Sequence, residues 1–167
     1  MKKLKDIDYT ILFQLVKNSK ISDRKLAKII GVSQPTVTRR RALLEREGLL
    51  DYTAIPDFGK LGFEIVAFTF ADLKHDAHSD EKTEEFRSFL SKRANIVFVS
   101  TGRGLQRDIV CVSIHKNYAD YASLREEFNQ DWGDHITKFD SFIISIESDN
   151  TLKQLSFNHL EKCSENT

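Results

Sequence analysis

Cysteine is scarce in this sequence. Only Cys111 and Cys163 occur among 167 residues, far apart and in no CxxC pair, so neither a disulfide framework nor a thiolate zinc site is expected, and a reduced cytosol suits the chain. Long hydrophobic runs are missing too: no apolar stretch approaches the roughly 20 residues that span a bilayer. The opening MKKLKDIDYTILF turns acidic within six residues and lacks the apolar core and small-residue cleavage site of a secretory leader. These absences predict a soluble, cytoplasmic protein with no membrane contact, and no cofactor or metal is expected.

Net charge is absent only on average. Lys and Arg total 25, as do Asp and Glu, yet Met1 to Lys60 holds 13 cations against 7 anions, and Leu61 to Thr167 holds 12 against 18. The length suits one large domain or two small ones, and the charge split favours two. A basic first third suits a polyanionic partner, because Lys and Arg that neutralise phosphates release condensed counterions. The acidic remainder would be repelled by the same partner.

Leu4, Ile7, Ile11 and Leu15 recur at helical spacing, with Leu12 and Val16 widening the stripe until Asn18, Ser19 and Lys20 break it. That predicts a helix from Asp6 to Lys17. Ser22 caps a short second helix carrying Leu26, Ile29 and Ile30, and Gly31 follows where a left-handed residue is needed. Ser33 caps a third helix reaching about Glu47; its Pro35 falls in the first turn, where a missing N–H costs nothing, and Gly48 closes it. Leu49 to Ile55 reads as a strand pair or wing, and Pro56 to Gly62 (PDFGKLG) as a linker. The expected organisation is a winged helix-turn-helix domain over 1–55, a linker over 56–62, a second domain over 63–147 and a tail over 148–167. Leu152, Leu155 and Leu160 in the tail suit a short amphipathic helix.

Beyond the linker, strand-like runs occupy Phe63 to Leu73, Ile96 to Thr101, Ile109 to His115 and Phe139 to Glu147, with helical stretches at Glu81 to Lys92 and Tyr118 to Trp132. The order β-α-β-β-α-β is the ferredoxin-like arrangement, so the fold class expected is α+β, with two helices over one face of a four-stranded antiparallel sheet. Alternation separates a bulky set (Val66, Phe68, Phe70, Val110, Val112, Ile114, Phe142, Ile144, Ile146) from a lighter one (Ala67, Thr69, Cys111, Ser113, Ser141, Ser145). The bulky set is expected under the helices. The lighter face is then the one a second copy completes, giving a homodimer.

The run Ser22 to Val37, SDRKLAKIIGVSQPTV, carries the strongest functional signal. Two short helices cross closely only with a small residue in the second, Ala27, and a turn that admits left-handed backbone, Gly31. Val37 then plugs the core from the third helix. This spacing is the helix-turn-helix arrangement, whose third helix lies in the major groove of double-stranded DNA. With Val37 and Leu44 inward, steps of about 100° put Pro35, Arg39, Ala42 and Arg46 outward, flanked by Thr36, Thr38 and Leu43. Arg39 is the expected base reader, its fork matched to guanine O6 and N7, while Thr36 or Thr38 would touch a thymine methyl or a phosphate. Ser33 and Gln34 stand at the helix N-terminus, where base edges are approached. Arg40, Arg46 and the wing are expected on phosphates, as are Lys25 and Lys28 of the second helix. Each alone reads equally well as a solvated charge; it is motif, wing and local charge together that point to DNA.

These residues resemble the Lrp/AsnC family, the leucine-responsive regulatory protein and asparagine-synthetase activator group, over nearly the whole chain. The matching signature is DxDxxIL (Asp6, Asp8, Ile11, Leu12), then ISDRKLAKIIGVSQPTVTRR, LEREGLL and a linker ending KLGF. The resemblance implies a transcriptional regulator whose N-terminal domain reads DNA and whose ferredoxin-like domain dimerises and associates into tetramers or octamers. It also implies an amino-acid effector, held between dimers around the turn linking the second and third strands of the C-terminal domain. Here that stretch is STGRGLQRDIV, residues 100–110. Gly102, Gly104 and Asp108 would supply backbone N–H groups for a carboxylate and an acceptor for an ammonium, while Arg103 and Arg107 depart from the pattern and suit an anion. The plainer reading is a flexible hairpin whose glycines permit the turn. Arg41 is a further departure: such proteins keep an apolar residue one turn after Val37, so the third helix is expected to pack differently or to snorkel that side chain.

Siroheme decarboxylases share this two-domain organisation and use His and Arg of the C-terminal domain for chemistry. His115 and His135 are the candidates here, with a strand end and a helix-to-strand turn as their plainer placements, so no enzyme is expected. His75, Asp76, His78 and Asp80 have the chemistry of zinc ligands, but a polar loop without local rigidity is expected to stay solvated.

Overall fold

The structure is a computed structural model that describes residues 4–74 and 79–146. The described residues form two compact units, one up to Ile55 and one from Pro56 onward. His75, Asp76 and His78, and the tail beyond residue 146, lie outside the described residues.

Three helices make the first unit: α1 (Asp6–Lys17), α2 (Asp23–Ile30) and α3 (Gln34–Arg46). Ile11 and Leu15 of α1, Leu26 and Ala27 of α2, and Val37 and Leu44 of α3 meet in one core with Ile21. Burying each of the large aliphatics stabilises the unit by about 1.5–3 kcal/mol relative to exposure. The ends are set by local chemistry. Ser22 and Ser33 each accept a backbone N–H at 3.3 Å, from Lys25 and Thr36, satisfying donors that the first turn leaves free. Gly31 ends α2 at φ 79°, the left-handed backbone that starts the tight turn into α3.

The strand pair expected over Leu49 to Ile55 does not form: none of those residues is in a strand. A strand needs a hydrogen-bonded neighbour, and this segment finds none among the described residues. Leu50 instead packs on the helical core.

The second unit holds β1 (Ile65–Leu73), α4 (Asp80–Ser91), β2 (Ile96–Gly104), β3 (Arg107–His115), α5 (Tyr118–Trp132) and β4 (Ile136–Ser145). The sheet is antiparallel in the order β2-β3-β1-β4, the ferredoxin-like topology. The stretch expected as a linker clusters with this unit, which begins at Pro56; Phe58 meets Phe63 edge-on at 6.0 Å, and just beyond it Glu64 bonds through its backbone to His115 and Ile146.

The faces of the sheet are the reverse of expectation. Ala67, Thr69, Ala71, Ile109, Cys111 and Ser113 are buried, and the first core layer above them is aromatic: Phe86 and Phe89 of α4 with Phe128 and Trp132 of α5. These rings sit 4.6–6.3 Å apart, mostly edge-to-face. Large helix side chains fill the space between the layers, so the fully buried strand residues opposite them are mostly small, Ile109 excepted. Most of the bulky set therefore lines the open face, where Phe68 pairs in register with Val112 and Phe142, while Ile114 is buried. Phe142 and Phe98 are 66% and 54% exposed there.

Candidate nucleic-acid interface

On α3, Val37 and Leu44 are buried, while Gln34, Pro35, Thr38, Arg39, Ala42 and Arg46 are exposed and Thr36 is half-buried. The core therefore turns one face of the helix outward. Arg39 has no hydrogen-bond or ion-pair partner among the described residues. Arg46 meets only Glu47, at 3.6 Å, and is 72% exposed. Ser33 and Thr36 share a hydroxyl contact of 2.8 Å at the helix start. Lys25 and Lys28 stand exposed on α2, both ammonium groups without a partner among the described residues.

Arg40 departs from its expected phosphate role. Its guanidinium turns inward to Asp8, a carboxylate with no exposure at all, and a fork engaged on both prongs by a buried anion is not available to DNA. The sequence held a signal for this: Asp8 lies three and seven residues before Ile11 and Leu15, on the buried stripe of α1, where a carboxylate needs a cationic partner.

Arg41 neither repacks the helix nor reaches solvent freely. Its Nη1 donates to Asp23 at 3.1 Å and its Nε to the Tyr52 hydroxyl at 2.6 Å and Glu45 at 3.2 Å. Tyr52 also bonds Glu45 at 2.8 Å. Burial works to lower the Arg41 pKa, but these partners outweigh it and hold the pKa above its ordinary value. The network fastens the start of α2 and the segment after α3 to α3 itself.

In the second unit, Gly102, Arg103, Gly104, Arg107 and Asp108 line a cavity of about 250 Å³ beside the β2–β3 turn. Two of the expected roles change. Arg107 pairs with Asp140 and donates to the Gln106 carbonyl at 2.8 Å, so it is not free to take an anion with its whole fork. Asp108 accepts the Leu73 N–H at 3.2 Å. The left-handed residues of the turn are Leu105 and Gln106, at φ 51° and 55°, rather than the two glycines. Arg103 is exposed and has no partner among the described residues.

His115 ends β3 opposite Ile65, and His135 precedes β4 with its carbonyl on Lys74, just past Leu73. Those are opposite ends of the nine-residue β1, on the order of 30 Å apart, so the two imidazoles do not share a pocket.

Comparison with known proteins bears on the helix-turn-helix segment and on the fold. Residues 4–51 match the family model described as winged helix-turn-helix DNA-binding. The HTH-type transcriptional regulator LrpC of Bacillus subtilis is 35% identical over 97 residues, a match spanning 58% of this chain and 64% of LrpC, less than two thirds of its length. The LrpC structure superposes with TM-score 0.70 and 26% identity over 90% of this chain and 99% of that one. An AsnC family transcriptional regulator from Agrobacterium tumefaciens gives TM-score 0.77 at 20% identity over 94% and 99%. The regulator NMB0573 of Neisseria meningitidis, solved as a complex with L-Met, gives 0.74 at 18% over 95% and 99%. The last two likenesses are of fold.

Proposed function

We propose that this chain is a member of the Lrp/AsnC family of helix-turn-helix transcriptional regulators, to which its sequence and fold are similar, and that it regulates transcription by binding specific double-stranded DNA through the outward face of α3. The observation that carries this reading is Arg39: exposed, partnerless among the described residues, and centred on a face with Gln34, Thr38, Ala42 and Arg46. Its fork takes a guanine edge. Ser33, Gln34 and Thr36 approach from the helix start, while Lys25, Lys28 and Arg46 hold phosphates. Arg40 acts from the inside, through Asp8.

The regulator is a cytoplasmic homodimer, assembling further to tetramers or octamers, and it is not an enzyme. Support for the dimer comes from the open sheet face, whose Phe98 and Phe142 a second copy would cover. Paired α3 helices would then meet two half-sites separated by one or more helical turns. No helix among the described residues is long and apolar enough to cross a membrane. A small effector, an amino acid in the first instance, binds around Gly102, Arg103, Gly104, Arg107 and Asp108; the L-Met held by NMB0573 supports that class. The separation of His115 and His135 gives the decarboxylase reading no pocket of the expected kind.

The test is a DNA retardation titration with random genomic fragments at two salt concentrations, alongside light scattering for mass. Selective, salt-sensitive binding by a dimer or a multiple of dimers supports the reading. Failure to bind any fragment at low salt overturns it. Calorimetric titration with a panel of amino acids tests the effector separately, and no heat from any of them removes that part.

A further inference from the structure

We infer that Thr38 reads the methyl group of a thymine, and that Asp23 is the positioning residue that turns the Thr38 methyl outward. This rests on the reading of α3 as the DNA-reading helix and specifies one of its contacts.

Thr38 offers two chemistries on one carbon, a hydroxyl for a phosphate or a methyl for an apolar contact. The structure decides between them. Its Oγ1 lies 2.7 Å from Asp23 Oδ2 and 3.2 Å from the Gln34 carbonyl. Both neighbours are acceptors, so the single hydroxyl proton is committed toward α2 and the preceding turn. A phosphate oxygen also only accepts, and would have to displace Asp23 while approaching its negative charge. With the hydroxyl turned inward, tetrahedral geometry at Cβ leaves the methyl on the far side, and Thr38 is exposed.

Asp23 is not free to release that hydroxyl. Its other oxygen, Oδ1, accepts from Arg41 at 3.1 Å, so each carboxylate oxygen is held by a different α3 residue. Arg41 is fixed in turn by Tyr52 and Glu45. On α3 itself, Pro35 and Ala42 stand three residues before and four after Thr38, and both are exposed. At that spacing the three lie along one stripe of the helix, and the methyl extends an apolar strip between Gln34 and Arg46. An apolar contact in the major groove is the signature of the thymine C5-methyl.

The experiment starts from an operator selected by the intact protein out of random duplex DNA. Each thymine is then replaced singly by uracil, which removes only the 5-methyl group, and affinity is read by fluorescence anisotropy. We expect one or two positions per half-site where uracil weakens binding about fourfold, the worth of one buried methyl-sized group. Thr38→Val keeps the methyl and keeps that gap. Thr38→Ser removes it and binds thymine and uracil operators alike. Asp23→Ala narrows the gap by freeing the Thr38 rotamer, an effect a merely structural role would spread over all positions. Both Thr38 substitutions are at an exposed site, so folding does not limit the test. A gap that survives in Thr38→Ser, or no uracil-sensitive position on a selected operator, overturns the inference and leaves the regulator reading standing. Failure to select any operator overturns both.

Discussion

Arg40 Nε donates to Asp8 Oδ1 at 2.6 Å and its Nη2 pairs with the other carboxylate oxygen, so a fully buried charge on α1 is met by a two-pronged fork from α3. The Lys5 N–H adds a bond of 2.7 Å. Burial alone would raise the Asp8 pKa, but Arg40 and the Lys5 N–H together hold it below the ordinary 3.8. Arg40→Ala leaves the carboxylate buried and alone, and should cost about 3–5 kcal/mol in urea unfolding. Asp8→Leu with Arg40→Met should recover most of that loss, since removing both charges removes the desolvation penalty with them. The lowered pKa has a definite sign: the pair's contribution is fully present above 3.8 and is lost as pH falls through the lower folded value.

What could be read from the sequence follows from what each pattern encodes. Helix limits were legible because caps are local: Ser22, Ser33, Gly31 and Pro35 set α2 and α3 by chemistry within one turn. The outward face of α3 followed from Val37 and Leu44 alone. The strand order was legible, but the facing of the sheet was not. Alternation separates two sets of residues without saying which lies inward, and here the answer depended on the bulk of Phe86, Phe89, Phe128 and Trp132 on the helices. Arg40 was given to a phosphate by its charge alone, although three residues after Val37 and four before Leu44 it falls on the inward stripe of α3, and its partner Asp8 lay 32 residues away on another helix. Leu105 and Gln106 were missed because glycine, not leucine, is the usual sign of left-handed backbone.

Arg39 and Lys25 should separate by role. Arg39→Ala removes a fork aimed at a base edge, so it should cost about 1–3 kcal/mol on the selected operator and relax preference at one position. Lys25→Ala should weaken specific and random DNA alike and reduce the salt slope by about one. Competition binding at several salt concentrations measures both. Equal losses on specific and random DNA from both variants would show that Arg39 is a backbone contact.

His115 makes the second unit sensitive to mild acid. The ring is fully buried, with Nε2 2.8 Å from the Ser113 hydroxyl and Nδ1 3.6 Å from Asp120, and Tyr121 edge-on at 5.5 Å. Burial lowers its pKa below 6.5 despite the opposing pull of Asp120. The folded ring is therefore neutral where the unfolded one takes a proton, so stability is full above 6.5, falls as pH drops through that value and levels off at the lower folded pKa. Thermal unfolding from about pH 8 to pH 5 should show this decline in the native protein and a flatter profile in His115→Phe. Parallel profiles would assign the decline to another group.

The open sheet face should control assembly. Phe142→Asp puts a charge on the face that a second copy would have to desolvate, yet 66% exposure of the native ring leaves the isolated fold little affected. Light scattering should show the dimer giving way to a monomer, with circular dichroism unchanged. Specific DNA binding should fall much further than non-specific binding, because one recognition helix without its partner reads only a half-site. A native mass in Phe142→Asp would place the contact between copies elsewhere.

The β2–β3 turn carries strain that the sequence does not relieve. Leu105 and Gln106 both hold left-handed backbone, at φ 51° and 55°, where a side chain crowds the following carbonyl at about 1–2 kcal/mol each. Leu105 also exposes 76% of its surface at the apex, so neither local backbone preference nor burial accounts for it there. Asn-Gly is the sequence such a two-residue turn favours. Leu105→Asn with Gln106→Gly should therefore stabilise the second unit by about 1 kcal/mol, raising its melting temperature by several degrees. If the apex also shapes the neighbouring cavity proposed for an effector, the more stable variant should bind that effector less well, because the leucine that costs stability is among the side chains lining the cavity. Unchanged or lower stability would show that contacts made by Leu105 outweigh its backbone strain.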